Sequence, residues 1–209
     1  MFYPIKTPWW LKRLYPGLVW RPASPSDKKT VYLTFDDGPH PDATPYVLDE
    51  LKRYGARATF FCIGKNVQLY PQIYRRILEN GHRVGNHTQN HLSGWKVSDK
   101  KYLEDIRDAA RYIDSDLFRP PYGRITRFQS KLLRGKPFHF QVIMWDVLSG
   151  DFDVSINAAR CARNVIRHAA DGSIVVFHDS EKAFPRLREA LPAVLEHFTG
   201  LGYQLEAIR

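Results

Sequence analysis

The chain has 209 residues, 44% of them hydrophobic, which is enough for one well-buried core and short for two ordinary domains. Its 31 Lys and Arg against 22 Asp and Glu leave a formal charge of +9, which favours an anionic partner such as an acidic glycan, a membrane surface or nucleic acid. Nucleic acid is set aside because there is no zinc-finger spacing, arginine-rich run or aromatic RNP-like strand, and the lack of a fixed-period repeat or low-complexity tract disfavours an array or a disordered adaptor.

Residues 1–28 read as an N-terminal extension. Phe2, Tyr3, Trp9, Trp10, Tyr15 and Trp20 stand there among Lys6, Lys12 and Arg13, a mixture suited either to packing on the domain or to resting in a lipid headgroup layer. Pro4, Pro8 and Pro16 interrupt any long amphipathic helix. The segment lacks the apolar core and cleavage site of a signal peptide, and no run of 18 apolar residues follows. The expectation is a cytoplasmic or membrane-associated protein, with export by another route left open.

After a Pro- and Ser-rich link over 21–27, residues 29–209 alternate apolar strands with amphipathic stretches, the pattern of repeated βα units. Strands are predicted at 30–35, 58–63, 82–85, just before Arg119, and at 138–145, 173–177 and 203–207. Helices are predicted at 43–54, 71–80, 98–115, 125–133, 156–170 and 186–198. Gly55 and Gly81 close the first two helices, and Ser98 with Lys101 opens the third without a full capping box. Cys62 and Cys161 are too far apart in the chain to suggest a metal knot or redox pair, so two buried thiols are expected.

Each polar cluster follows a predicted strand: Asp36/Asp37, His87/His91, Arg119/Tyr122, Asp146/Asp151 and His178/Asp179. In a barrel of βα units the strand C-terminal ends share one face, where catalytic residues gather. Gly38 and Pro39 break the first strand at once, which lets both Asp36 and Asp37 turn into one loop-lined site, one as a base and one on a cation. His87 and His91, four residues apart, fall on one side of a turn. Two imidazoles and a carboxylate leave positions open on a metal, a set suited to metal-assisted hydrolysis that does not by itself choose the metal.

The same residues admit rival readings. His40-Pro41-Asp42 fits the start of a two-histidine, one-carboxylate iron triad, but that triad belongs on a jelly roll, and this chain alternates strands with helices. A glycosidase built on Asp36 and Asp37 would need carboxyl groups on opposite sides of a sugar, roughly 5 Å or more apart. A non-catalytic glycan-binding module should have lost a base, an acid or a metal ligand, and none is lost.

Read together, Thr34-Phe35-Asp36-Asp37-Gly38-Pro39, His87-Thr88-Gln89-Asn90-His91, Arg119-Pro120-Pro121-Tyr122-Gly123, Asp151-Phe152 and Val176-Phe177-His178 resemble, in order, the motifs of the polysaccharide deacetylases, the NodB-homology group or carbohydrate esterase family 4. The resemblance covers about 29–209. It implies a single-domain α/β fold, a distorted (β/α)7-like barrel, and a divalent metal held by Asp37, His87 and His91, usually zinc, with cobalt or nickel accepted. It implies Asp36 as the general base, Arg119 as its partner through paired hydrogen bonds, the backbone N–H of Tyr122 on the oxyanion, His178 as the general acid and Asp151 as its partner. The substrate class implied is an N-acetylated carbohydrate such as peptidoglycan or a chitooligosaccharide; the alternative is a membrane-associated deacylase or deformylase of a lipid-linked amino sugar. Phe152 and Val176 stand where the family commonly has Trp and Leu lining the acyl pocket, so the pocket stays apolar but changes shape and loses an indole donor. Trp145 and Asp146 are candidates to border the site.

Overall fold

A computed structural model describes residues 3–22 and 28–209; Phe2 and residues 23–27 of the link lie outside the described residues. One sheet runs in the order β5-β4-β3-β2-β1-β7-β6, comprising β1 (Thr30–Asp36), β2 (Thr59–Cys62), β3 (Arg83–Asn86), β4 (Leu117–Phe118), β5 (Gln141–Val142), β6 (Val147–Leu148) and β7 (Ile174–His178), with β8 (Gln204–Leu205) beside β1. All of these pairings are parallel. The sheet curls into a distorted (β/α)7 barrel with its helices outside.

β1 is buried along its whole length, as a central parallel strand must be. The period-2 pleat divides its side chains between two cores. Leu33 and Phe35, with Val175 and Phe177 of β7, pack outward against Val47, Leu51, Leu187 and Leu191 of the helices. Thr34 and Asp36 pair in register with Val176 and His178 and point the other way, into the barrel. The lower interior is filled by Tyr32, Phe61, Leu117, Ile143, Ile174 and Ile208.

The six predicted helices form as α2 (Ala43–Arg53), α4 (Pro71–Glu79), α5 (Asp99–Ala109), α6 (Arg127–Arg134), α7 (Ala158–His168) and α8 (Phe184–Gly200), and two short ones, α1 (Trp9–Leu14) and α3 (Gly64–Leu69), join them. Ser98 caps α5 by accepting the Lys101 N–H. α5 ends at Ala109 rather than 115, because the chain turns there to bury Ile113 before β4. Both cysteines are buried free thiols.

The predicted strand 138–145 is paired with β4 only at Gln141–Val142. Beyond it the chain serves the N-terminal segment: Val19 N–H donates to Val142 O (2.9 Å) and Met144 N–H to Val19 O (2.8 Å). Leu148 N–H donates to Ile5 O (2.8 Å) and Thr7 N–H to Asp146 O (2.8 Å). The N-terminal segment thus covers the free edges of β5 and β6. Among the described residues no helix is long and apolar enough to cross a membrane.

His82 sits at the entry to β3, buried, its Nδ1 accepting the Ala58 N–H (3.3 Å) and its ring edge-on to Phe60. Burial, helped by the Arg57 charge, holds its pKa down at about 4. The folded protein therefore lacks a proton that the unfolded chain carries between pH 4 and the ordinary value of 6.5, so stability falls as pH drops through that window. Urea unfolding at several pH values should show an acid-side loss of up to about 3 kcal/mol from this residue, and His82→Gln should flatten that slope.

Candidate active site

The site lies at the C-terminal ends of the strands. Asp36 is the last residue of β1, 4% exposed, and the register directs it inward. Asp37 follows at φ 83°, a left-handed turn that a short polar side chain tolerates and that overrides the strand alternation between the two neighbouring carboxylates. Asn66 Nδ2 donates to Asp37 O (2.7 Å) and holds that turn. Asp179, fully buried, accepts from Gly38 N–H (3.0 Å) and from Thr44 Oγ1, and its own N–H donates to Asp36 O (3.0 Å). A Cβ on Gly38 would lie 2.1 Å from Asp179 Oδ2, so only glycine fits there. Burial pushes the Asp179 carboxyl up to about 8, against the Thr44 hydrogen bond.

β3 and the loop after it bring His87 and His91 to Asp37. One ligand atom from each of the three lies within 4.8 Å of the others, with His91 Nε2 at 3.2 Å and His87 Nε2 at 3.7 Å from Asp37 Oδ1. His87 Nδ1 is 2.8 Å from Arg119 O; a carbonyl only accepts, so Nδ1 carries the proton and Nε2 offers its lone pair to the cluster. Burial pulls the His87 pKa down to about 4, which keeps the imidazole neutral. Burial raises the Asp37 carboxyl, but the surrounding imidazoles of His91, His178 and His87 outweigh it and hold it well below the carboxylate range. Asp37 Oδ1 is buried with no good hydrogen-bond partner. An orphaned anionic oxygen facing two imidazole nitrogens fits a divalent cation.

Arg119, at the end of β4, is wholly buried. It gives Asp36 Oδ1 a single bond from NH1 (2.7 Å), not the paired fork expected from the sequence. Its other N–H groups go to Thr34 Oγ1 (2.6 Å), Met144 O (3.1 Å) and Ile143 O (3.4 Å), and its guanidinium stacks 4.0 Å from the Phe61 ring centre.

On the other side, His178 Nδ1 lies 2.8 Å from Asp151 Oδ1, while Asp151 Oδ2 accepts the His178 backbone N–H (2.7 Å). Burial alone would lower this imidazole's pKa; the Asp151 charge and hydrogen bond reverse that and raise it to about 10. Phe152 stands edge-on to His178 with centroids 5.3 Å apart, and Val176 is buried one pleat below it. Tyr122, at φ 60°, rests its ring 4.6 Å from that of His91 and is 63% exposed. The Trp145 indole lies against Gly123, where an added Cβ would come within 2.4 Å of it.

A family model for polysaccharide deacetylase matches residues 23–136. Peptidoglycan-N-acetylglucosamine deacetylase of Bacillus cereus is 35% identical over 190 residues, 88% of each chain. The chain belongs to the polysaccharide deacetylase family. Peptidoglycan-N-acetylmuramic acid deacetylase PdaC of Bacillus subtilis is 35% identical over 191 residues, 87% of this chain but only 38% of that one. The Bc1960 peptidoglycan N-acetylglucosamine deacetylase structure superposes with a TM-score of 0.85 at 29% identity, over 97% of this chain and 95% of that chain.

In this deacetylase-family fold two sequence candidates lie elsewhere. Asp146 does not border the site: it binds Lys12 (2.5 Å), Lys6 (3.4 Å) and Ser173 Oγ, tethering the N-terminal segment. His40 spends its Nδ1 on the N–H groups of Asp42 and Ala43 at the start of α2, so the His40-Pro41-Asp42 triplet is a helix entry and not part of the metal cluster.

Four supporting residues were not marked for the site by the sequence reading: Asn66, described above, and Asn86, Asp105 and Tyr3. Asn86 Oδ1 accepts Thr88 N–H (2.8 Å). Asp105 on α5 accepts Gln89 N–H (2.9 Å), Asn90 N–H (3.0 Å) and Asn90 Nδ2 (2.6 Å), which fixes the loop between the two histidines. Tyr3 packs on Phe152 with centroids 4.9 Å apart and donates to Asp153 Oδ2 (2.8 Å). The signal for Asp105 was available as a buried-face carboxylate on an amphipathic helix. Asp105→Ala should weaken zinc binding about 10–100-fold, as loss of an outer-shell support does, with circular dichroism unchanged; calorimetric titration of the apoprotein measures it.

Proposed function

We propose that this protein is a metal-dependent hydrolase that removes the N-acetyl group from a GlcNAc-containing glycan, such as peptidoglycan or a chitooligosaccharide. The observation that carries the reading is the Asp37-His87-His91 cluster with an Arg-held carboxylate and an Asp-held imidazole beside it. The names of the relatives, which act on peptidoglycan, point to the same substrate class.

Asp37 Oδ1 and the Nε2 atoms of His87 and His91 would hold the ion, zinc by preference and cobalt or nickel as substitutes. When bound, such an ion polarises the acyl oxygen and makes water a better nucleophile. Asp36, fixed by Arg119, takes the proton from the attacking water. The Tyr122 N–H donates to the oxygen on which negative charge develops. His178, cationic at neutral pH because of Asp151, gives its Nε2 proton to the departing amine. Phe152 and Val176 wall the acyl methyl group, and Trp145 buttresses the Tyr122-Gly123 turn.

Acetate release from N-acetylglucosamine oligomers and peptidoglycan fragments by zinc-reconstituted protein tests this reading. Asp36→Asn should lower kcat by roughly 10²–10⁴-fold and keep its zinc. Loss of zinc from that variant would put Asp36 in the coordination shell instead. His91→Ala should lose tight zinc binding, and full metallation of that variant would refute the ligand set.

The second reading, a membrane-associated deacylase of a lipid-linked amino sugar, is favoured by one feature. Trp9 is 73% exposed, Trp10 52% and Leu14 49%, all on α1 beside Arg13, a composition suited to an anionic headgroup layer. Flotation with anionic phosphatidylglycerol vesicles should carry the wild type upward and leave Trp9→Ala/Trp10→Ala behind, with neutral vesicles binding neither.

A further inference from the structure

Trp95 has no part in the chemistry above, yet it is 61% exposed on a segment that is firmly built. Gly94 N–H donates to Arg124 O (3.1 Å), and the buried Gln129 amide donates to Gly94 O (2.8 Å). A Cβ on Gly94 would lie 2.5 Å from Gln129 Oε1 and 2.8 Å from Arg124 O, so the two backbones meet as closely as they can. Gln129 is itself locked in the capping box of α6 with Thr126. The Arg124 guanidinium lies 5.5 Å from the Trp95 ring centre, and Lys96 beside it is exposed.

The Trp95 ring is a large apolar face left in water with a cation over it, and such a face gains free energy when a ligand covers it. Its position is specific. Trp95 is four residues past His91, no more than about 14 Å along the chain, and Arg124 is two residues past Tyr122, whose ring touches His91. The two segments leaving the candidate metal site thus rejoin at Gly94 and Arg124, with Tyr122 on His91 at one end and Trp95 beside Arg124 at the other. Arg124 and Lys96, on a chain of net charge +9, call for an anionic group on whatever stacks there.

We propose that Trp95 and Arg124 form a second sugar subsite that takes a pyranose further along the glycan, ring face on the Trp95 indole and carboxylate on the Arg124 guanidinium. The proposal rests on the glycan deacetylase reading and adds to it that the substrate is an oligomer carrying acidic sugars. Tyr122 sets the position of the reacting sugar, and Trp95 registers its neighbour.

Calorimetric titration of zinc-loaded protein tests it with two probes of equal length, a neutral N-acetylglucosamine tetramer and a peptidoglycan fragment bearing lactyl carboxylates. Trp95→Ala should weaken binding of both roughly tenfold, and Trp95→Phe should restore most of it, as expected if about 1.4 kcal/mol of stacking is lost and regained. Arg124→Gln should weaken only the carboxylated fragment. Hydrolysis of a small aryl acetate, which reaches only the metal cluster, should be unchanged in all three variants. Wild-type affinity in Trp95→Ala, no measurable binding of either glycan by the wild type, or equal losses on the aryl acetate would each overturn the subsite. If the wild type binds the fragments and Trp95→Ala does not, but neither glycan loses acetate, the deacetylase reading fails and the subsite stands.

Discussion

The buried guanidinium of Arg119 constrains everything around it. An ion taken wholly out of water is costly by several kcal/mol unless its hydrogen bonds are met, and here Asp36, Thr34 and the carbonyls of Ile143 and Met144 meet them, with Phe61 beneath the plane. The acceptors come from β1 and from the stretch that follows β5, so one side chain ties opposite walls of the barrel together. The carboxylate assigned as base is therefore also the counter-ion of the core. The Arg119 backbone carbonyl fixes the His87 tautomer. Asp36 and His87 are thereby oriented from a single point, and a shift of β4 would disturb both.

Backbone strain is concentrated at the same place. Apart from His139, the described non-glycine residues with positive φ are Asp37, Thr88, His91 and Tyr122, all of them in the ring of candidate site residues or the loop that carries it. Such conformations persist only where the surroundings over-determine them. Asn66 holds the Asp37 carbonyl, Asn86 the Thr88 amide, and Asp105 the amides of Gln89 and Asn90. Each of these supports is a polar group satisfied in a buried or half-buried place, and together they hold Asp37, His87 and His91 near one another.

Much of this was legible from sequence because two physical signals agree: strands with apolar runs and a polar cluster immediately after each one. β1, β2, β3 and β7 and the six longer helices follow the predicted order, within a few residues except at the end of α5. The misses have local causes. α1 is six residues long and fits between Pro8 and Pro16, so the prolines that forbid a long helix bound a short one. α3 begins with Gly64 and is too short to display a period. The 138–145 run reads as one strand, but Phe138 and His139 belong to the turn after α6, with His139 at φ 55°, and beyond Val142 the partner changes from β4 to the N-terminal segment; partner choice is not written in one strand's own pattern. Asp146 illustrates the converse problem. A carboxylate after a strand signals either a site or a tether, and only the placement of Lys6 and Lys12 decides between them.

That tether has a consequence for the site. Uncovered edges of β5 and β6 would present unpaired amide and carbonyl groups, a template for intermolecular pairing. The N-terminal segment removes that hazard by bonding along both edges, and in doing so it is drawn past the C-terminal end of β6. The bond from Leu148 to Ile5 sets the register, which leaves Tyr3 beside Gly150 and Phe152. Phenylalanine at 152 has no indole nitrogen with which to anchor itself; its ring is held instead between Tyr3 on one side and His178 on the other, with the Tyr3 hydroxyl fixed on Asp153. The surroundings of Phe152 and His178 are thus completed from the far end of the sequence, and their shape depends on the same pairing that covers the edges of β5 and β6.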